Sequence, residues 1–151
     1  MARVEIELPA SFPFTTRISI RIGDINYGGH LGNDAVLALA HEARLRFLGS
    51  HGFTDERDVG GLGLIMADAA VVYRAEGRHG MELDVGVALS DVRSRSFDVL
   101  YRLTDAAGGA EIARVKTGLV WFDYATRKVA RMPEAFARVA TAVGAIAGAG
   151  G

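Results

Sequence analysis

Cysteine is absent from all 151 residues, which excludes both disulfide bonds and thiolate chemistry. A Gly-x-Ser-x-Gly turn is missing too, so a nucleophilic-serine hydrolase of the common kind has no footing. His30, His41, His51 and His79 show neither the H-E-x-x-H spacing nor a cysteine companion, and no metal is expected. No segment approaches the roughly 20 apolar residues that span a bilayer, and the start MARVEIELPASF lacks the apolar core of a secretion signal. No membrane partner is expected, and the expected location is the cytoplasm. A net charge of -1 without any Lys/Arg-rich run argues against nucleic acid as a partner.

What is present suits one compact unit. Half the residues (50%) are hydrophobic, enough at this length for a substantial core, so residues 1–151 are expected to form a single domain. The closing stretch 144–151, GAIAGAGG, offers little side chain and is expected to be a flexible tail. Residues 15–22 alternate, with Ile18, Ile20 and Ile22 on one side and Arg17, Ser19 and Arg21 on the other, the period of a half-buried strand. Similar alternation or β-forming composition marks residues 64–73, 81–89, 96–103 and 111–124, and Asp105-Ala-Ala-Gly-Gly supplies a hairpin between the last two. Pro133 opens a short helix over 134–143.

The chain is organised around residues 21–48, RIGDINYGGHLGNDAVLALAHEARLRFL, where a strand end passes through a polar loop into the one long helical pattern. Gly28 and Gly29 permit positive φ and close backbone approach. Asn33 reads as an N-cap, Asp34 places an acid in the first turn, and Gly49 and Gly52 read as the stop. Val36, Ala40, Ala43 and Phe47 share a stripe, while Leu37, Leu45 and Leu48 extend apolar character round the helix. Glu42 and Arg46, four apart, read as an ion pair.

The order Asp24-x-Asn26-x-x-Gly29-His30-x-x-Asn33, followed by Glu42-Ala43-Arg44, resembles the signature of hotdog-fold acyl-CoA thioesterases of the 4-hydroxybenzoyl-CoA thioesterase type, D-x-D-x-x-G-H-x-N-N and then E-x-A-R. Asn26 stands in place of that pattern's second aspartate, and Gly32 in place of its first paired asparagine. Further on, residues 73–83 (YRAEGRHGMEL) and 92–97 resemble other segments of the same family. The resemblance implies an α+β hotdog fold: one long central helix wrapped by a curved antiparallel sheet of about five strands, with a short C-terminal helix. It also implies a homodimer or homotetramer with sites between subunits, and coenzyme A as part of the substrate rather than as a cofactor.

Thioester hydrolysis needs a base for water and donors for the oxyanion. By resemblance to acyl-carrier-protein thioesterases, the expected catalytic residues are Glu76 as base with His30 and Asn26 orienting water or carbonyl. An amide cannot itself take the proton. Backbone N–H groups from Gly28 to His30 are the expected oxyanion donors, and Asn33 is expected to contact substrate. Asp24 is a second candidate base. Asp68, an acid inside IMADAAVV and eight residues before Glu76, is expected on the same strand face if no bulge intervenes. Arg78, His79, Arg93 and Arg95 are candidates for coenzyme A phosphates. Ser96 is expected beside the pantetheine arm by resemblance. A hotdog module that binds an acyl-CoA without turnover is the alternative.

Overall fold

A computed structural model describes residues 2–146. Its elements run β1 (Phe14–Ser19), α1 (Asn33–Ser50), β2 (Gly63–Tyr73), β3 (Glu82–Ser90), β4 (Ser96–Asp105), β5 (Glu111–Asp123), β6 (Lys128–Val129) and α2 (Glu134–Ala142). All pairings in the sheet are antiparallel in the order β1-β3-β4-β5-β2, with the two-residue β6 added beside β5. This is the α+β arrangement expected from the sequence.

Period-two patterning places Leu83, Val85, Val87 and Leu89 of β3, each at most 1% exposed, on the face that α1 covers. From α1 come Val36, Leu39, Ala40, Ala43, Phe47 and Leu48, all buried. Phe136 of α2 closes one end of the core, its ring 4.6 Å from Phe97 and 4.9 Å from Trp121. No described helix is long and apolar enough to cross a membrane.

The opposite face of the sheet is not bare. Residues 2–13 lie across it without strand pairing, held where Arg114 Nη1 donates to the Ile6 carbonyl (3.0 Å) and where Phe12 occupies the space above Gly86. A Cβ at Gly86 would lie 2.6 Å from that ring, so the missing side chain makes the seat. Arg102 stacks over the same ring at 5.3 Å. Gly86 and Ala88 are thus buried on the outer side as fully as their neighbours are on the inner.

Several boundaries differ from expectation. Ile22 leaves the strand and opens a single 3₁₀ turn, Ile22–Asp24, with 70% of its surface exposed. Gly32, not Asn33, is the N-cap of α1, and Asn33 is its first helical residue. Gly49 lies inside the helix; the stop comes at Gly52, whose φ of 89° suits glycine. Of the stretch read as a flexible tail, Ile146 is pinned: its N–H donates to the Leu89 carbonyl and its carbonyl accepts from Asp91 N–H, both at 2.9 Å. Residues 147–151 lie outside the described residues.

Candidate functional site

The loop between β1 and α1 is built by its own polar groups. Asp24 Oδ2 accepts from Arg21 N–H (2.8 Å), and the Asp24 carbonyl accepts from Gly32 N–H (2.9 Å), which closes the loop at its base. Asn26 organises the tip. Its N–H donates to the His30 carbonyl (2.8 Å) and its carbonyl accepts from Gly29 N–H (3.0 Å). Its Oδ1 accepts from Gly28 N–H (2.9 Å) and His30 N–H (3.3 Å), an Asx-type turn. Gly29 takes φ of 82°, so glycine is needed at that point of the turn.

A second loop, residues 74–81, is pressed against the first. Leu31 N–H donates to the Gly77 carbonyl (2.9 Å), and Gly77 has no room for a side chain: a Cβ would lie 2.8 Å from Ile20 Cδ1 and 2.9 Å from Leu31 Cβ. Tyr73 Oη donates to the Asn33 carbonyl (3.0 Å), fastening the end of β2 to the start of α1. These ties set Glu76 against His30, with Nε2 3.1 Å from Oε2, while Arg78 Nη2 approaches the same carboxylate oxygen at 3.4 Å. The Glu76 side chain is 62% exposed and the His30 side chain 35%.

Of the sequence-derived site, Glu76, His30, Asn26, Gly28, Gly29 and Asn33 are therefore brought to one end of the sheet. The N–H groups of Gly28, Gly29 and His30, expected to receive an oxyanion, are all spent within the loop on Asn26. Among the donors left over are the side-chain amides of Asn26 and Asn33, neither of whose nitrogens donates to a partner among the described residues.

Asp68, Arg93, Arg95 and Ser96 are not brought there. The bulge in β2 falls before Asp68, between Met66 and Asp68, and leaves the alternation from Asp68 to Tyr73 intact; β2 ends at Tyr73, so Glu76 lies in the loop beyond and shares no strand face with Asp68. Asp68 instead points to the outer side of the sheet, where Lys116 Nζ donates to it at 2.7 Å. Lys116 also lies 3.6 Å from Asp98, whose carboxyl is pushed above the usual range by burial, with Lys116 acting in the opposite direction. Arg93, Arg95 and Ser96 lie at the far end of β3 and β4; nine residues of β3 put about 30 Å between them and Glu76 within one chain. Arg93 is there paired with Asp91 (3.0 Å).

A buried polar group beneath α1 was not foreseen. Arg44, 6% exposed in its side chain, donates from Nε to Glu56 Oε2 (2.9 Å) and from Nη1 to Tyr101 Oη (3.0 Å). Tyr101 Oη in turn lies 2.8 Å from Thr117 Oγ1, and His41 Nε2 lies 2.6 Å from Glu56 Oε1. Burial alone would lower the Arg44 pKa, but Tyr101 and Glu56 reverse the effect and hold it above its ordinary value. Burial pushes the Tyr101 phenol up, against the pull of Arg44. The signal was in the sequence: Arg44 stands four residues after Ala40, on the edge of the buried stripe. The Glu42–Arg46 pair forms as expected, at 3.0 Å.

An antiparallel sheet carrying one long helix on a single face, with a polar loop and a His–Glu pair at the helix start, defines a protein of the hotdog class. Residues 20–139 match the model of the thioesterase-like superfamily, and the chain belongs to that family. No curated protein matches it. Among solved structures it is similar to a 1,4-dihydroxy-2-naphthoyl-CoA thioesterase from Synechocystis, at 22% identity and TM-score 0.78, over 85% of this chain and 95% of that one. A thioesterase superfamily protein from Jannaschia gives 21% identity and TM-score 0.80, over 93% and 89%. A Staphylococcus aureus protein solved in complex with CoA gives 18% identity and TM-score 0.79, over 91% and 87%.

Proposed function

We propose that the protein is an acyl-CoA thioesterase, hydrolysing an acyl thioester to a carboxylic acid and a free thiol. The observation that carries this reading is the Glu76 carboxylate held by His30 at 3.1 Å, at the mouth of the loop that opens α1, in a chain of the thioesterase-like superfamily. Glu76 takes a proton from water as its oxygen attacks the acyl carbon, and the Asn26 and Asn33 amides donate to the oxyanion. The carbon–sulfur bond then breaks, and the thiolate recovers the proton from Glu76. His30, fixed by the loop backbone, keeps the carboxylate aimed.

The working unit is a dimer. At one sheet edge β1 is short and carries the Arg17–Asp84 pair, whereas the other edge, β2, is eleven residues long and exposes Ile65 (38%) and Met66 (43%). A two-fold that pairs β2 antiparallel with its copy sets the Tyr73 end of one chain beside the Gly63 end of the other. The turn at 93–96 lies at the Gly63 end, because Ser96 is in register with Val120 and Leu64 with Trp121. Pairing thus turns each chain's Arg95 and Ser96 toward the other's loop site and covers a Glu76 that one chain leaves open. Light scattering should return twice the 16.0 kDa chain mass; a monomer at micromolar concentration would remove this arrangement.

Thiol release measured spectrophotometrically across short, long and aromatic acyl-CoAs tests the activity. Turnover of at least one ester is the expected result. Binding of every ester without thiol release would instead favour a ligand-binding module, a reading that gains from the commitment of the Gly28, Gly29 and His30 N–H groups to Asn26.

A further inference from the structure

The strap formed by residues 2–13 does not lie flush on the sheet. Between residues 5–9 and the outer face it leaves a cavity of about 540 Å³. Sheet register sets out the floor in rows: Ser90, Asp98, Gly118 and Asp68 stand side by side across β3, β4, β5 and β2, and two residues along stand Leu100 and Lys116. Ile6 and Leu100, each 8% exposed, are buried here and not in the core beneath α1. A Cβ at Gly118 would collide with Asp68 Oδ1 and lie 3.4 Å from Asp98 Oδ1, so both carboxylates lean over that glycine.

The charges at this cavity do not cancel. Asp91 is matched by Arg93 (3.0 Å) and Asp68 by Lys116 (2.7 Å). Asp98 is left with Lys116 at 3.6 Å, beyond hydrogen-bond reach, although its side chain is the least exposed of the three carboxylates, at 26% against 31% for Asp91 and 63% for Asp68. Ser90, its cross-strand neighbour, is 6% exposed and lines the cavity, and its hydroxyl has no hydrogen-bond partner among the described residues. A buried hydroxyl and a half-buried carboxylate that face one cavity without close partners call for a charged donor. Glu5 and Glu7 on the strap add negative charge against the single ammonium of Lys116 among the lining residues, which repels an anion. A metal ion fits poorly, since no three metal-ligating side chains gather among the described residues and the apolar floor would go unused. Lys116 stands by Asp98 Oδ1, so only Oδ2 is open, which suits an ammonium and not the two-pronged grip of a guanidinium.

We propose that this cavity binds an organic cation, a primary ammonium carried on a short aliphatic chain: the ammonium donates to Asp98 Oδ2 and Ser90 Oγ, and the chain lies along Leu100 and Ile6. Burial holds the Asp98 carboxyl above its ordinary range and Lys116 offsets that only in part, so a bound ammonium supplies the charge that is missing. The site lies on the face of the sheet opposite α1, and its occupancy does not depend on thioester hydrolysis.

Isothermal titration of the full chain with n-hexylamine at neutral pH tests the site, with 1-hexanol and hexanoate as uncharged and anionic ligands of the same chain length. The expected result is saturable one-to-one binding of the amine, with the alcohol and the acid weaker by about tenfold or more. Asp98→Asn keeps the size and removes the charge, and should weaken hexylamine by about tenfold without unfolding the chain. Ser90→Ala should weaken it by about threefold. Equal affinity for hexanoate and hexylamine, or no saturable binding of hexylamine, overturns the proposal. So does parental affinity in Asp98→Asn, the result expected of an amine drawn only by the general acidity of the surface. Should Asp98→Asn fail to fold, Ser90→Ala decides: parental affinity at the parental melting temperature overturns the site, and weaker binding at that temperature supports it.

Discussion

The described residues form two histidine–glutamate pairs, His30–Glu76 at 3.1 Å and His41–Glu56 at 2.6 Å, and they differ in everything except composition. Glu56 is 18% exposed and accepts from two of the three nitrogens of a buried guanidinium, Nε and Nη2 of Arg44, so its charge is matched and its oxygens are taken. Glu76 uses one oxygen for His30 and Arg78 and keeps the other, Oε1, without a partner among the described residues. A carboxylate that stabilises a fold and one able to accept a proton from a substrate water are distinguished by the second oxygen. Position in the fold decides which is which: Glu56 sits in the connection that closes over the core, and Glu76 in a loop whose backbone is fixed by another loop.

That contrast can be broken by exchanging the readouts. Glu76→Gln should lower kcat by about 10²–10⁴-fold and leave KM and the melting curve close to parental, since it removes a proton acceptor without opening a cavity. A rise in KM alone would make Glu76 a binding residue. Arg44→Leu should do the reverse, destabilising the fold by about 3–5 kcal/mol in urea melts because it strands Glu56 and Tyr101. A change below 1 kcal/mol, by about the size of a surface pair, would show that the group beneath α1 is not what holds helix to sheet.

Tyr101 gives the comparison a pH axis. Its pKa is raised in the fold, so the folded state retains the phenol proton where the unfolded chain releases it. Stability from this source is complete below pH about 10, the ordinary tyrosine value, and is lost as pH rises toward the folded value, by up to about 1.4 kcal/mol per pH unit. Melts from pH 8 to 11 should show this loss in the parental protein and a shallower one in Tyr101→Phe. The smallest effect belongs to His41→Ala. With the imidazole 52% exposed, its loss should cost under about 1 kcal/mol and leave kcat unchanged, while His30→Ala should reduce kcat.

The elements themselves were legible because each obeys one period: β3 alternates for nine residues and α1 repeats its stripe from Val36 to Phe47. The loop was legible through its resemblance to a family pattern, and its interior bonding was not, since which groups the Asn26 oxygen binds depends on backbone angles that no periodicity encodes. Asp68 was misplaced because the two-residue period was carried past Tyr73, where β2 ends, to Glu76 in the loop beyond. Ser96 was joined to the site by family resemblance and Arg95 by the fit of guanidinium to phosphate; sheet register puts them at the opposite end of the chain's own sheet. Arg44 went unseen because a charged residue on a helix is read as solvated unless its partners are known, and Glu56 and Tyr101 come from other elements. Residues 2–13 gave no periodic signal, having neither ladder nor helix to impose one.

Those first residues have a bearing on how many copies can assemble. An uncovered sheet face is a natural platform on which two dimers stack, and here the chain has already roofed its own platform, with Phe12 wedged over Gly86 and Ile6 drawn down by Arg114. For the proposed dimer, growth past two subunits through this face would have to lift that roof first.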